Sequence, residues 1–401
     1  MDTVTYPDPK LAELLAKFVL VKVDHDAEPE LVKRHGVQPL PDVRLLAPDG
    51  KEIDHLVGFT SAARLGPRLQ RALDVVAGKE PAATADARPE GEGQPSPGSG
   101  VDRDAVRLAV LRGDSFLRRE SRRGFAGPAR FLPDELVLFA WAASGLERTD
   151  SDVAALLTAT LAAPPAGTYR AALRACALAR LADPDLKPRV AECARFLEST
   201  QLANGQWSYG PAADGAMPEL GDDSNSAYAL LGLAACERAG VGVSDEVWKK
   251  AARRWIASQN EDGGFGYRVD RESASYASMT ASGLHGLALA RARGDESAAR
   301  ALERGGAWLR ANFSVRENRG SSYREGRQLY GLYALERVGD EGPGTVPAAR
   351  RGLPDDWYAQ GAAHLIATQR GDGSWDDGAD TPVPNTCFAL LFLTEATRPV
   401  R

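Results

Sequence analysis

Three heptapeptides constrain this chain more than any other feature of its sequence. Gln201–Trp207 (QLANGQW), Gln259–Phe265 (QNEDGGF) and Gln369–Trp375 (QRGDGSW) each read Gln, three residues, Gly, one residue, aromatic. Their starts lie 58 and then 110 residues apart, a spacing of one and then two periods of about 55. A degenerate copy, Trp308–Tyr323, fills the gap. Each copy follows an amphipathic stretch (AECARFLEST, KKAARRWIAS, RGGAWLRANF, GAAHLIAT). Each precedes a second stretch rich in small residues, starting near Ser226, Thr280, Gln328 and Thr386. Both stretches have helical apolar spacing. Two earlier pairs, Val106–Arg118 with Asp134–Ser144 and Val153–Ala162 with Tyr169–Leu181, bring the expectation to about six helical hairpins.

The motif has a direct physical reading. Gln201, Gln259 and Gln369 sit at helix ends, where carbonyls lack partners. Gly205, Gly263 and Gly373 permit a turn with positive φ. Trp207, Phe265 and Trp375 pack back onto a neighbouring hairpin. One hairpin cannot bury its apolar face alone, so several must stack. Six that curve round close into a two-layer α/α toroid. Small residues on its inner helices then surround a central cavity.

The three heptapeptides resemble the QW repeats of the squalene cyclase and protein prenyltransferase superfamily. The resemblance covers roughly residues 104–398. It implies a mostly α chain, structural roles for the nine motif residues, and one of two chemistries. Class II terpene cyclases protonate an alkene or epoxide with an Asp in a DxDDTA motif. The matching stretch here is Asp222-Asp223-Ser224-Asn225-Ser226-Ala227. Ser224 stands at the acid position, with Asn225 beside it. Asp222 and Asp223 are the remaining acid candidates, and capping of the following helix competes with that role. The prenyltransferases hold zinc with Asp, Cys and a His just before a Thr-Cys pair. Here Asn385 takes the place of that His, before Thr386 and Cys387, and no Asp-x-Cys precedes it.

Asp376, Asp377 and Asp380 formally read DDxxD, a magnesium-binding pattern when it lies on a helix. Gly373, Gly378, Pro382 and Pro384 make it a loop, so it remains only a weak metal candidate. Tyr228, Tyr276, Tyr330 and Tyr333, with His285, Ser224, Asn225 and Asn385, are the candidates for the cavity wall and mouth. Arg316, Arg319, Arg324 and Arg327 make the fifth hairpin basic before its inner helix, either as a solvated face or as an anion site at the mouth.

Residues 79–103 are rich in Pro, Gly, Ala and charge and read as a flexible linker. It separates residues 104–401 from a smaller α/β segment, residues 1–78. There Pro9–Lys17, Pro29–His35 and Ser61–Val76 have helical spacing, and Phe18–Val23, Val43–Leu46 and Ile53–Val57 read as strands. The segment resembles the later two-thirds of a thioredoxin-like domain, with Pro41 where that family has its cis-proline. The family's first strand and CxxC would fall upstream of Met1. A truncated module without a redox dithiol and with an open sheet edge is therefore expected.

Net charge is −6, which leaves no basic field for nucleic acid. The four cysteines have neither CxxC nor zinc-knuckle spacing. No apolar run reaches the roughly 20 residues of a membrane span, and no signal peptide is visible. A cytoplasmic location follows as an expectation, with no cofactor. Forty Arg against nine Lys lean toward a GC-rich, bacterial source. The first functional expectation is a toroid that binds an apolar, isoprenoid-like ligand or a protein partner in its cavity, without the acid or zinc chemistry. The alternatives are a divergent terpene or triterpene cyclase or other isoprenoid-processing enzyme, and the remnant of a thioredoxin-fold redox protein. Whether the chain is an enzyme at all stays open at this stage.

Overall fold

The structure is a computed structural model that describes residues 9–21, 23, 28, 42–57, 62–77, 101–125, 133–211, 215–267, 273–321, 327–339 and 352–395. The chain divides into two compact units. One comprises residues 1–96 and 102–108, the other residues 97–101 and 109–401. No described helix is long and apolar enough to cross a membrane.

In the first unit, α1 (Pro9–Leu15) packs on α2 (Ala62–Val76), and β1 (Asp42–Leu46) pairs antiparallel with β2 (Glu52–Val57). The hairpin turns at Pro48-Asp49-Gly50. Gly50 takes φ +84°, and Asp49 Oδ1 accepts from the Lys51 amide. Leu11, Leu15, Leu45, Leu65, Leu69 and Ala72 form the core. Among the described residues of Phe18–Val23, the expected strand is absent. Val19, Leu20 and Val21 lie outside any strand and are exposed, Val19 at 92%. Intrinsic β-preference does not make a strand without a partner ladder to satisfy its backbone. Pro41, the expected helix over 29–35 and residues 79–100 of the expected linker lie outside the described residues. The linker's last residues depart from expectation, because the next helix begins at Arg103.

The second unit is the expected set of hairpins. Outer helices are α3 (Arg103–Arg123), α5 (Ser151–Leu161), α7 (Lys187–Ser199), α9 (Asp245–Ser258), α11 (Ala299–Asn312) and α13 (Trp357–Thr368). Inner helices are α4 (Pro133–Ala143), α6 (Thr168–Leu181), α8 (Asp223–Arg238), α10 (Ala277–Ala292), α12 (Gln328–Gly339) and α14 (Pro382–Glu395). Each inner helix packs on the next, and α14 packs on α4, so the ring closes. The two layers differ as their positions require. Outer α9 starts at a Ser244 cap and buries only the stripe Val247, Trp248, Ala251, Ala252, Trp255 and Ser258. Inner α8 is buried on every side from Asp223 to Cys236. Gly232 lets α8 approach α6: a Cβ there would sit 2.6 Å from Ala172 Cα.

The repeated glutamines tie hairpin to hairpin. Gln201 Nε2 donates to the Gly205 carbonyl of its own turn (3.3 Å) and to Val247 O of α9 (3.0 Å). Gln259 bridges Gly263 O and Ala301 O of α11, both at 2.8 Å. Gln369 bridges Gly373 O and Ala109 O of α3, both at 2.9 Å, so it links the last hairpin to the first. The glycines hold φ near +90° and lie against the same next helix. A Cβ on Gly205, Gly263 or Gly373 would fall 2.5, 2.8 or 2.3 Å from the carbonyl of Lys250, Arg304 or Arg112. The aromatics are fully buried. The Trp207 and Trp375 indoles donate to Leu197 O and Leu365 O, while Phe265 packs edge-on against Trp255. Their backbone amides donate to Ser226, Thr280 and Thr386 on the inner helices, at 3.0–3.1 Å. The degenerate fourth copy has no such glutamine bridge. Asn312 returns to Trp308 O within its own helix, and Gly352 instead rests against Gly306 of α11.

Removing one glutamine amide strands two backbone carbonyls, at a cost of roughly 1–3 kcal/mol. Gln369→Ala is therefore expected to lower stability by that order in urea unfolding. Gly373→Ala, which adds a backbone clash to an unfavourable φ, is expected to cost more. Equal stability of either variant with the parent would contradict the staple.

Candidate functional site

Tyrosines from opposite sides of the ring meet in its middle. The inner helices run in the order α4, α6, α8, α10, α12, α14, which sets α6 across from α12. Tyr169 on α6 shares a hydrogen bond with Ser224 Oγ on α8 (2.5 Å). Ser224 Oγ in turn meets Tyr330 OH on α12 (3.0 Å). The Tyr169 and Tyr228 rings lie 4.5 Å apart, and Tyr228 and Tyr330 stack at 6.3 Å. Phe388 of α14 closes against Tyr330 and Tyr333, at 5.6 and 5.8 Å. The middle expected to be open is thus bridged at this level, because tyrosine hydroxyls find partners across the ring. Burial pushes the phenols of Tyr169, Tyr228 and Tyr333 well above their ordinary value, so they remain neutral donors.

Next to this set lies a buried cation. Arg337, on α12, is 3% exposed. Its guanidinium packs over the Tyr333 ring (4.9 Å) and the Tyr228 ring (5.3 Å). Nη2 donates to Ser282 of α10 at 3.3 Å, whereas Nε and Nη1 have no partner.

The aromatic series continues outward. Tyr209 lies 6.0 Å from Tyr169, is 65% exposed, and its hydroxyl sits 3.4 Å from that of Tyr267. Met217 and Leu220, in the same loop as Tyr209, are exposed apolar side chains. This is the end of the ring where the inner helices begin, and loops close those helix ends. The first amides of α6, α8 and α10 and the second of α12 (Leu329) donate to Tyr209 O, Tyr267 O, Arg319 O and Asp377 Oδ2, each supplied by the following hairpin.

The two acid candidates serve different partners. Asp222 is the N-cap of α8. Its Oδ1 accepts from the Asn225 amide (2.8 Å) and its Oδ2 from Asn225 Nδ2 (2.7 Å). Burial raises its pKa against those bonds and one from Tyr267. Asp223 accepts from Gln206 Nε2 (3.1 Å) and feels Arg254 of outer α9, so it belongs to the wall. Burial pushes it up to about 7. Ser224 joins the tyrosines, while Asn225 completes the cap.

The other candidates fall outside the tyrosine set. Asn385 holds the loop before α14 through Asp377 Oδ1 (3.0 Å). Of the three aspartates in that loop, Asp377 also caps α12, Asp376 pairs with Arg370 (2.9 Å) and Asp380 lies 3.7 Å from Arg327. Among the described residues no group of three or more His, Cys, Asp or Glu is arranged to hold a metal ion. Tyr276 is the N-cap residue of α10 and His285 lies half-buried further along that helix. Arg319 faces Glu317, and Arg324 lies outside the described residues. All four cysteines are buried and free. Burial pushes the Cys176 and Cys193 thiols up to about 11 and about 12, and Cys387 well above its ordinary value.

Sequence reasoning missed Tyr169, Ser282 and Arg337. The available signal for Tyr169 was its place in the first turn of an inner helix, as for Ser224 and Tyr330. Arg337 was masked by its position near a helix end, where a basic side chain ordinarily complements the dipole in solvent.

No protein-family model matches the chain, and no curated protein matches it. Among solved structures it is similar to the type II terpene cyclase MstE from Scytonema. The form bound to its product, merosterolic acid A, is 13% identical with a TM-score of 0.49, over 73% of this chain and 97% of that one. The form bound to its substrate, geranylgeranyl dihydroxybenzoate, gives 0.48 at the same identity and coverage. The ligand-free enzyme gives 0.45 at 12% identity, over 73% and 98%. Likenesses of this degree carry no argument about activity, and the ring rests on its own helix packing.

Asp223 makes stability depend on pH. Unfolded, it releases its proton near its ordinary value of 3.8, and folded it keeps it to about 7. Between those values the native state binds more protons, so stability falls as pH rises. Asp114, raised to about 7 by burial, adds the same slope. Asp223→Asn keeps an acceptor for Gln206 and removes its share. In urea unfolding it is expected to flatten the slope and to exceed the parent in stability near pH 8, where the parent carries the buried charge. A variant weaker than the parent at that pH would contradict the assignment.

Proposed function

We propose that the toroid is a receptor for an apolar small molecule of the isoprenoid kind, taken up at the end of the ring where the inner helices begin. The observation that carries this reading is the aromatic series from exposed Tyr209 through Tyr169 and Tyr228 to Tyr330. Aromatic faces with a few convergent hydroxyls are the composition of a ligand site. Met217 and Leu220 supply apolar surface in the entrance loop. Uptake requires the Tyr169–Ser224–Tyr330 bridge to part, exchanging two hydroxyl bonds for contact with the ligand. The resemblance of the repeats to those of the cyclase and prenyltransferase superfamily agrees with an isoprenoid.

A cyclase reading draws support from the raised pKa of buried Asp222, beside the tyrosines. The chemistry argues against it. An acid that protonates an alkene must aim its proton into a dry cavity, whereas both oxygens of Asp222 accept bonds from Asn225.

Titration with geranylgeraniol, followed by tyrosine and tryptophan emission and by native mass spectrometry, tests the receptor. Saturable one-to-one binding at concentrations below about 100 μM is expected. Asp222→Asn is expected to leave the affinity within about twofold, and Tyr228→Ala to weaken it about tenfold or more. No binding by the parent would refute the reading. Conversion to a cyclic product, lost in Asp222→Asn, would replace it with the cyclase.

A further inference from the structure

The tyrosine set leaves one group unexplained. Arg337 is a permanent cation, and a buried charge requires a counter-charge or a full set of hydrogen-bond acceptors. The acceptor set is incomplete: two of its three nitrogens are unpartnered, and the third makes one long bond to Ser282. Buried Glu336, the preceding residue, acts on it through its field. The surrounding tyrosines stay neutral and supply ring faces but no negative charge. Two ring faces attract a cation without using its N–H donors.

We propose that Arg337 is the anchor for an anionic head group, a carboxylate or phosphate, carried by the apolar ligand of the toroid. This rests on the receptor reading above and specifies its ligand. A guanidinium in a low-dielectric setting is the side chain best matched to either anion, through paired N–H donors. The Tyr228 and Tyr333 phenols, whose rings face the guanidinium, stay neutral and keep their hydroxyl protons. The loops that close the inner helices occupy one starting amide on each of α6, α8, α10 and α12. The head group goes past Tyr209 and Tyr169 to the buried cation at the centre, and the apolar tail follows along the aromatic series.

Three probes with one tail separate the possibilities: farnesol, farnesoic acid and farnesyl phosphate. Each is titrated against the parent protein, Arg337→Gln and Arg337→Lys. In the parent, the acid or the phosphate is expected to bind at least about tenfold more tightly than the alcohol. The tighter of the two identifies the head group. In Arg337→Gln that preference is expected to vanish, and Arg337→Lys is expected to restore part of it. Equal binding of acid, phosphate and alcohol by the parent would overturn the anchor and leave the receptor standing. Failure of all three probes to bind would overturn both. A preference that survives in a folded Arg337→Gln would place the anion elsewhere. The comparison within the parent needs no variant, so it decides the matter even if Arg337→Gln does not fold.

Discussion

The second unit depends on one interaction, a glutamine side-chain amide shared between two backbone carbonyls. One carbonyl belongs to the turn that ends an outer helix, and the other to the next outer helix. A helix end leaves carbonyls without partners, and a Gln amide carries two donors. The same residue therefore ends one helix and fixes the position of another. The glycine four residues on permits the close approach, and the aromatic fills the space beneath. At three of the six junctions this arrangement gives a hairpin a defined neighbour. At Gln369 the neighbour is the first hairpin, and the array becomes a ring.

Closure changes what the inner helices require. A helix enclosed by two ring neighbours and an outer partner has almost no solvent face, which accounts for α8 being buried from its first residue to Cys236. Polar groups on such helices have to find partners across the ring. Tyr169, Ser224 and Tyr330 do so. Arg337 does so only in part. Buried polar groups that lack partners mark places where a structure awaits something further. The proposed anionic head group rests on that asymmetry, and the proposed receptor on the aromatic series beside it.

Much of this architecture was legible in the residues. The Gln–Gly–aromatic spacing announced four of the hairpins and the staple, helical apolar spacing added the first two, and Asp222 was recognisable as a cap. The serine and threonines that receive the aromatic amides, Ser226, Thr280 and Thr386, were hidden because they look like ordinary small residues of an inner helix. The centre was not legible. Aromatics make up only 7% of the chain, and composition says nothing of how many converge on one axis. Tyr169, Tyr228, Tyr330 and Phe388 come from four helices spread over some 220 residues, and only ring closure brings them together. In the first unit the run Phe18–Val23 misled for a related reason: strand preference is local, but a strand needs a partner.

Ring closure is tested most directly by a distance between the first and last outer helices. The native cysteines are all buried, so spin labels on Ser115→Cys of α3 and Ala367→Cys of α13, both exposed positions, report on closure without interference. A closed ring predicts a single distance below about 25 Å, one helix-packing separation plus the label arms. A broad or single distribution beyond about 40 Å, as five successive hairpin spacings in an open array would give, would contradict it.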